Sequence, residues 1–342
     1  MRVAEAVSAL NGVLLNTPSI SAFNGFSQKL EKIQNGWLFI APETLDFTTI
    51  AQAIQNGAYG IVLTKQNAQD FKGFIDSQNE IAWIEVQDLP SCIARLIRYK
   101  ILFFSTNVIA LNNVQFAIAK EIITDKKAFV GNEKEALLES FNNEITTIFT
   151  DSQKILELSF DNLTPIKPLS APFNLISYTL FDVRFFYAVR EYLLHLPYLF
   201  IDDLSALVAV CEQERVNFEL SHFKEIAFLK PNFVDRFLNL CDYGQSQQVL
   251  ITCRDSALFA KYIDYFLEYA RWGKLACLVP KSYKIENPSQ SISYYAKKRE
   301  IISLIKNQEF NFMLVFGIDD SELFTLLKKH KPHLERSLFD EL

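Results

Sequence analysis

Apolar residues along the chain follow two spacings, and their alternation predicts an α/β protein. Residues 37–41 (WLFIA), 60–63 and 81–86 are short apolar runs bounded by turn residues, and each predicts a strand. Residues 48–56 set Ile50, Ala53 and Ile54 on one face of a helix stopped by Gly57, and residues 89–100 predict a second helix. Strand, helix, strand implies parallel pairing with a right-handed crossover. Residues 108–111 then predict a strand and 117–123 a helix, joined by the loop Asn112-Asn113-Val114-Gln115-Phe116. Ile155 to Ser159 reads as a further strand, and three prolines between Thr164 and Pro172 predict a loop. Residues 182–194 and 203–214 carry apolar positions three and four apart, predicting helices. From 249 onward, strands 249–253, 275–279 and 312–316 alternate with helices 255–271, 294–306 and 319–329, the pattern of a Rossmann-like domain.

The 108–123 stretch carries the sharpest chemical question. A strand, a tight loop and a helix in that order is where an α/β enzyme places a phosphate-binding loop. Such a loop works because glycines let backbone N–H groups approach the phosphates, a Lys neutralises charge and a Ser or Thr binds magnesium. Asn112 to Phe116 include no Gly, Lys, Ser or Thr. The frame of a nucleotide pocket is present without its chemistry, so these five residues are expected to be inactive toward nucleotide, with Phe116 filling the space.

Composition narrows the classes. A chain of 342 residues with 49% hydrophobic and 22% charged residues is an ordinary folded protein of two or three domains. A net charge of −6 gives no general footprint for nucleic acid or anionic membrane. Five scattered Cys without a CxxC fit reduced, mostly buried thiols in a cytoplasmic protein. The N-terminus lacks the apolar run of a signal peptide, and no stretch reaches the roughly 18 apolar residues of a spanning helix. The four His (His195, His222, His330, His333) show no metal-ligand spacing, and no metal site is expected. Asp202-Asp203, after the apolar run Leu199-Phe200-Ile201, fit a helix cap better than a metal-binding acidic pair.

Several segments together resemble one family. The run KIQNGWLFIAPETLDFTTIAQAIQNGAYGIVL, followed by IEVQDLPSCIARL, is similar to the N-terminal substrate domain of the Mur ligases. The likeness is strongest to the branch that adds D-alanyl-D-alanine to UDP-N-acetylmuramoyl-tripeptide. KKREIISLIKNQEFNFMLVFG resembles that family's C-terminal domain. The resemblance implies a three-domain Mur ligase-like α/β architecture: an N-terminal domain over residues 1–102, a shortened central ATPase-like domain over 103–245 and a Rossmann-like C-terminal domain over 246–342.

The resemblance also places the family's functional positions, and this chain departs at most of them. The Asp-Ser-Arg triplet that helps hold the uridine nucleotide falls on Lys29-Leu30-Glu31, and the P-loop falls on Asn112–Phe116. Lys120 stands in the helix after that loop, Asn142-Asn143 match an Asn-Asn-x-Ile segment near the substrate, and Glu157 matches a magnesium-binding Glu at a strand end. Arg236 falls in the passage to the last domain. The ATP-facing Asp-Tyr-x-x-Asn-Pro loop falls on Cys253-Arg254-Asp255-Ser256, and the family's His-Arg-Glu on Lys298-Arg299-Glu300. Lys120, Asn142, Asn143, Glu157 and Arg236 are therefore the candidate relic site.

With the phosphate loop, the nucleotide triplet, the Gly- and His-bearing loop that the resemblance places after Glu157 and the C-terminal Asn-Pro loop all altered together, the expected function is that of a catalytically degenerate Mur ligase-like protein. It would act as a binding or regulatory factor connected with bacterial peptidoglycan synthesis, with no catalytic residues and no cofactor. Its expected partners are peptidoglycan-precursor enzymes, or a UDP-sugar or peptide ligand held without chemistry. The alternative is an active ATP-dependent carboxylate–amine ligase with a rewired site, in which Lys120, Glu157 and Asp202 would hold Mg-ATP.

Overall fold

The computed structural model describes residues 1–159, 164–165, 172–283 and 291–329. The chain forms two compact units, Met1–Leu169 with Ala206–His222, and Ser170–Ser205 with Phe223–Leu342. Residues 166–171 of the proline-rich stretch, and the C-terminal tail with His330 and His333, lie outside the described residues.

The first unit holds two sheets. Five strands, β1 (Val13–Leu14), β2 (Gly25–Ser27), β3 (Trp37–Ile40), β4 (Ala58–Thr64) and β5 (Ala82–Val86), make a sheet of order β1-β5-β4-β3-β2. β2 to β5 run parallel and β1 pairs antiparallel to β5. Helices α1 (Val3–Leu10), α2 (Phe47–Gln55), α3 (Lys65–Asp70), α4 (Lys72–Ser77) and α5 (Leu89–Phe103) accompany it. α2 and α5 begin where short acidic side chains take up free helix amides: Asp46 accepts from Thr49 N–H at 2.7 Å and Asp88 from Ser91 N–H at 2.8 Å. Trp83 is fully buried on one face of the sheet, and α1 and α5 pack on the other.

The second sheet has order β7-β8-β6-β9, all parallel, from β6 (Asn107–Ala110), β7 (Ala128–Val130), β8 (Thr147–Thr150) and the two-residue β9 (Thr164–Pro165). It carries α6 (Asn113–Ile122) and α7 (Lys134–Ser140). Two expectations fail here. The loop expected at Asn112–Phe116 has shrunk to Asn112, and Asn113 to Phe116 form the first turn of α6. The strand expected at Ile155–Ser159 is instead a single helical turn, α8 (Gln153–Leu156), capped by Glu157. Ile155 and Leu158 are the buried positions, three apart as in a helix and not two apart as in a strand.

In the second unit, residues expected to be helical at 182–194 form a hairpin. β10 (Asn174–Tyr178), β11 (Val183–Tyr187) and β12 (Arg190–Leu194) make an antiparallel sheet. The run is apolar at 183, 186, 187, 193 and 194, which fits a helix, but also at 183, 185 and 187, which fits a strand. The strand period prevails: Val183 and Phe185 are buried while Arg184 and Phe186 are exposed. Helix α9 (Ile201–Gln213) follows and starts before Asp202, so Asp202-Asp203 stand in its first turn, where their charge favours the helix dipole. The apolar run before it is no strand: Tyr198–Phe200 form a 3-10 turn that leads into that helix at Ile201.

The last sheet has order β13-β14-β17-β15-β16, from β13 (Asn232–Val234), β14 (Gln248–Cys253), β15 (Leu275–Pro280), β16 (Ser291–Tyr295) and β17 (Phe312–Phe316). It is parallel apart from the antiparallel edge strand β13. Helices α10 (Ser256–Tyr269), α11 (Ile301–Lys306) and α12 (Asp320–Lys329) complete the Rossmann-like pattern. The helix expected over 294–306 is confined to its second half, because Ser291–Tyr295 are drawn into the ladder beside β15.

Candidate functional site

The β6–α6 junction is closed by its own side chains. Asn112 Oδ1 accepts from Gln115 N–H at 2.8 Å, and Gln115 Oε1 accepts from Asn112 N–H at 3.0 Å. This reciprocal capping box occupies amides that a phosphate loop would offer to an anion. Val114 and Gln115 are buried. Phe116 is half-buried, and the Lys120 ammonium stands 5.3 Å from its ring centroid, a cation–π contact on the helix surface.

The other relic positions have structural employment. Asn142 holds the β2 backbone, accepting from Phe26 N–H at 3.2 Å and donating to Phe26 C=O at 2.8 Å. Asn143 is exposed at the end of a 3-10 turn. The Glu157 carbonyl accepts from Arg98 at 3.1 Å, while its exposed carboxylate meets Gln153 Nε2 at 3.4 Å. Arg236 belongs to the other unit and stacks on Phe237 at 4.5 Å. Lys29 to Glu31 lead into a 3-10 turn.

At the carboxyl ends of β14 and β17, where open α/β sheets bind ligands, the matched positions form an ion network. Arg254 pairs with Asp319 at 2.9 Å and Glu322 at 2.8 Å, and Lys298 also pairs with Glu322. Both carboxyls lie below the ordinary carboxylate range, Asp319 mainly through the bonds it accepts from Glu322 N–H and Ser321, and Glu322 mainly through those from Lys298 and Arg254. Asp255 caps α10 through Ala257 N–H at 2.8 Å and Leu258 N–H at 2.9 Å.

Two arrangements escaped the sequence reading. The first is a cavity of about 220 Å³ between α1, α5, β2 and the Phe141–Asn143 turn, into which Lys100 projects. Lys100 is only 9% exposed, and its ammonium stands 5.0, 5.2 and 6.0 Å from the ring centroids of Phe26, Phe104 and Phe103. Burial lowers its pKa, opposed by the field of Glu5 and Glu144. In sequence, Lys100 is one basic residue near the end of a helix, and nothing local marks it as enclosed.

The second is the cluster Asp182, His195 and Tyr243. Asp182 Oδ1 lies 2.7 Å from His195 Nδ1, and Tyr243 donates to Asp182 Oδ2 at 2.7 Å. The β11–β12 register places Asp182 opposite His195, one step beyond the Val183–Leu194 pair. Burial, then the bond to Asp182, pushes the Tyr243 phenol upward. The cysteines offer no such chemistry: burial raises Cys92 and Cys211 to about 12 and Cys253 to about 11, far from a reactive thiolate.

No family model matches the sequence, and no curated protein does. Among solved structures the chain is similar to MurF from Acinetobacter baumannii, with 11% identity over 96% of this chain and 98% of that one, at TM-score 0.50. It is also similar to the MurF ligase from Thermotoga maritima in complex with ADP (13% identity, 89% and 96% covered, TM-score 0.45). UDP-N-acetylmuramate-alanine ligase MurC from Thermotoga maritima is more distant (9% identity, 86% and 93% covered, TM-score 0.37). The chain has the fold of a Mur ligase. Its mixed α/β sheets, several of them parallel, are those of that multi-domain architecture. Within this Mur ligase fold, no group of three or more His, Cys, Asp or Glu among the described residues could hold a metal ion. No described helix is long and apolar enough to cross a membrane.

Proposed function

We propose that this chain is a catalytically degenerate Mur ligase-like protein, a binding or regulatory factor connected with peptidoglycan synthesis. The observation that carries the reading is the capping box at the start of α6. Phosphoryl transfer is positioning and electrostatic stabilisation, and a phosphate loop supplies both through open amides and a lysine. At this junction Asn112 and Gln115 bond to each other's backbone amides, and Lys120, in the same helix, stands over Phe116. The altered motifs at Lys29–Glu31, Cys253–Ser256 and Lys298–Glu300 point the same way. On this reading no cofactor is needed, and the partners are peptidoglycan-precursor enzymes or a UDP-sugar or peptide ligand.

The test is calorimetry of the full chain with Mg-ATP and with a non-hydrolysable analogue at millimolar concentration. The expected outcome is no heat, with binding heat appearing on titration with a UDP-N-acetylmuramoyl-peptide or a precursor enzyme. Stoichiometric Mg-ATP binding would overturn the reading and direct the search to an active carboxylate–amine ligase using Lys120, Glu157 and Asp202.

A further inference from the structure

We propose that the cavity under Lys100 is a binding site for a small organic monocarboxylate about the size of benzoate. The argument begins with the ammonium. It carries three donors, yet no acceptor among the described residues bonds to it; its neighbours are the faces of Phe26, Phe103 and Phe104. Ring faces attract the charge but leave the donors without conventional partners among the described residues, so the donors face the cavity. The residue lines a cavity, so the missing acceptor has a place to sit.

Charge and shape select the ligand. Glu5 and Glu144 line the same cavity and favour the charged form of Lys100 through space. Glu5 is already bonded to Arg2 N–H at 2.9 Å. The Met1 ammonium, which donates to the Phe23 carbonyl at 2.9 Å, lines the cavity as well, so two ammoniums offset two carboxylates; one added negative charge is accommodated there, while a multiply charged phosphate is repelled by Glu5 and Glu144. The remaining wall mixes the rings of Phe23, Phe141 and the stacked Tyr99–Phe103 pair, centroids 5.8 Å apart, with the polar side chains of Asn24 and Asn142, so a flat ring with a polar substituent matches it. A dry cavity of about 150 Å³ admits benzene. The volume here, about 220 Å³, accommodates such a ring with a carboxylate attached. No residue of the β6–α6 junction takes part, so this site and the functional reading above stand or fall separately.

The experiment titrates the full chain with benzoate, benzyl alcohol and inorganic phosphate, followed by calorimetry and ligand-observed NMR, in the wild type and in Lys100→Met. Wild type is expected to bind benzoate at one site. Lys100→Met should weaken benzoate about tenfold or more, the loss expected of a charge-assisted hydrogen bond. It should leave benzyl alcohol unchanged. The variant replaces a buried charge with an apolar chain, and the wild-type series tests the proposal even if it misfolds. Benzoate stays anionic at neutral pH and above, and burial lowers the pKa of both the Met1 amino group and Lys100 while Glu5 and Glu144 stay charged, so affinity should fall as pH rises, and the part of the fall that Lys100→Met removes belongs to Lys100. No saturable benzoate binding overturns the proposal. Equal benzoate binding by both chains overturns it too, since the cavity is then merely apolar. Phosphate displacing benzoate with equal affinity overturns the choice of a monocarboxylate.

Discussion

Of the turns that hold residues at positive φ, the one after α2 and the one between β11 and β12 do so by opposite means. After α2, Gly57 takes φ +96, and its N–H bonds the Ile54 carbonyl at 2.9 Å. A Cβ there would come within 2.8 Å of the Asn35 Cα, so glycine satisfies both the backbone angle and the space. Between β11 and β12 the two turn residues are Ala188 at φ +44 and Val189 at φ +63. Both angles belong to the hairpin turn that normally carries Asn-Gly. A β-branched residue is poorly suited to that region, and Val189 is fully exposed, so no local packing compensates. The five-pair ladder from Val183–Leu194 to Tyr187–Arg190, with Val183, Phe185 and Leu194 buried beneath it, must hold the turn closed. One turn is set by its own residue; the other is imposed by the sheet around it.

The largest expected effects test whether burial acts alike in both regions. Trp83 is fully buried, and its indole N–H donates to the Gln78 carbonyl at 3.2 Å. Phe185 is fully buried against Phe173, centroids 4.3 Å apart. Trp83→Ala and Phe185→Ala should each destabilise by about 3–5 kcal/mol in urea unfolding followed by circular dichroism. A Phe185→Ala loss near zero would mean that the hairpin sheet does not rest on its core.

Gly57→Ala should then cost about 2 kcal/mol, from the unfavourable φ and the approach to Asn35. The matching change at the other turn has the opposite sign. Replacing Ala188-Val189 by Asn-Gly should stabilise by about 1 kcal/mol, because those residues adopt the required angles freely. An unchanged or lower midpoint would show that the Ala-Val turn is not strained, and the contrast between the two turns would collapse.

The same contrast explains how much could be read from the chain. In the first sheet β3, β4 and β5 were legible as compact apolar runs, with α2 stopped by Gly57 and α5 following, whereas β1 and β2, two and three residues long, and the helices α1, α3 and α4 gave no expectation. The last sheet was legible in its βα order, apart from its edge strands: β13 gave no expectation, and the Ser291–Tyr295 segment of β16 ran on into a helical pattern. The hairpin was hidden because Ala-Val gives no turn signal and the aromatic run satisfies both periods. That error also hid Asp182 and His195, which only the hairpin register brings together. At the β6–α6 junction the needed signal was present: Asn112-x-x-Gln115 is a capping-box spacing, and it marks the start of a helix where a loop was expected. Lys100 was not legible at all, since Phe26 reaches it from a distant segment and enclosure is a tertiary property.

The smallest effect concerns the acidic caps of the helices beside the first sheet, and it separates their charge from their geometry. Asp88 accepts from Ser91 N–H, and that bond is the leading reason its pKa lies below the ordinary value. A carboxyl with a depressed folded-state pKa contributes stability that is fully present above its unfolded pKa and is lost as pH falls through the folded one. Its contribution should therefore hold at neutral pH and fade below pH about 4. Asp88→Asn keeps an acceptor for Ser91 but cannot titrate and loses the negative charge at the start of α5. The variant should be slightly less stable at neutral pH, and urea midpoints of the two chains should converge as pH falls through that window. Midpoints that remain parallel would mean that the position of the acceptor, and not its charge, starts α5. A legible cap would then be a statement about hydrogen-bond geometry alone, as it already is for the uncharged Asn112.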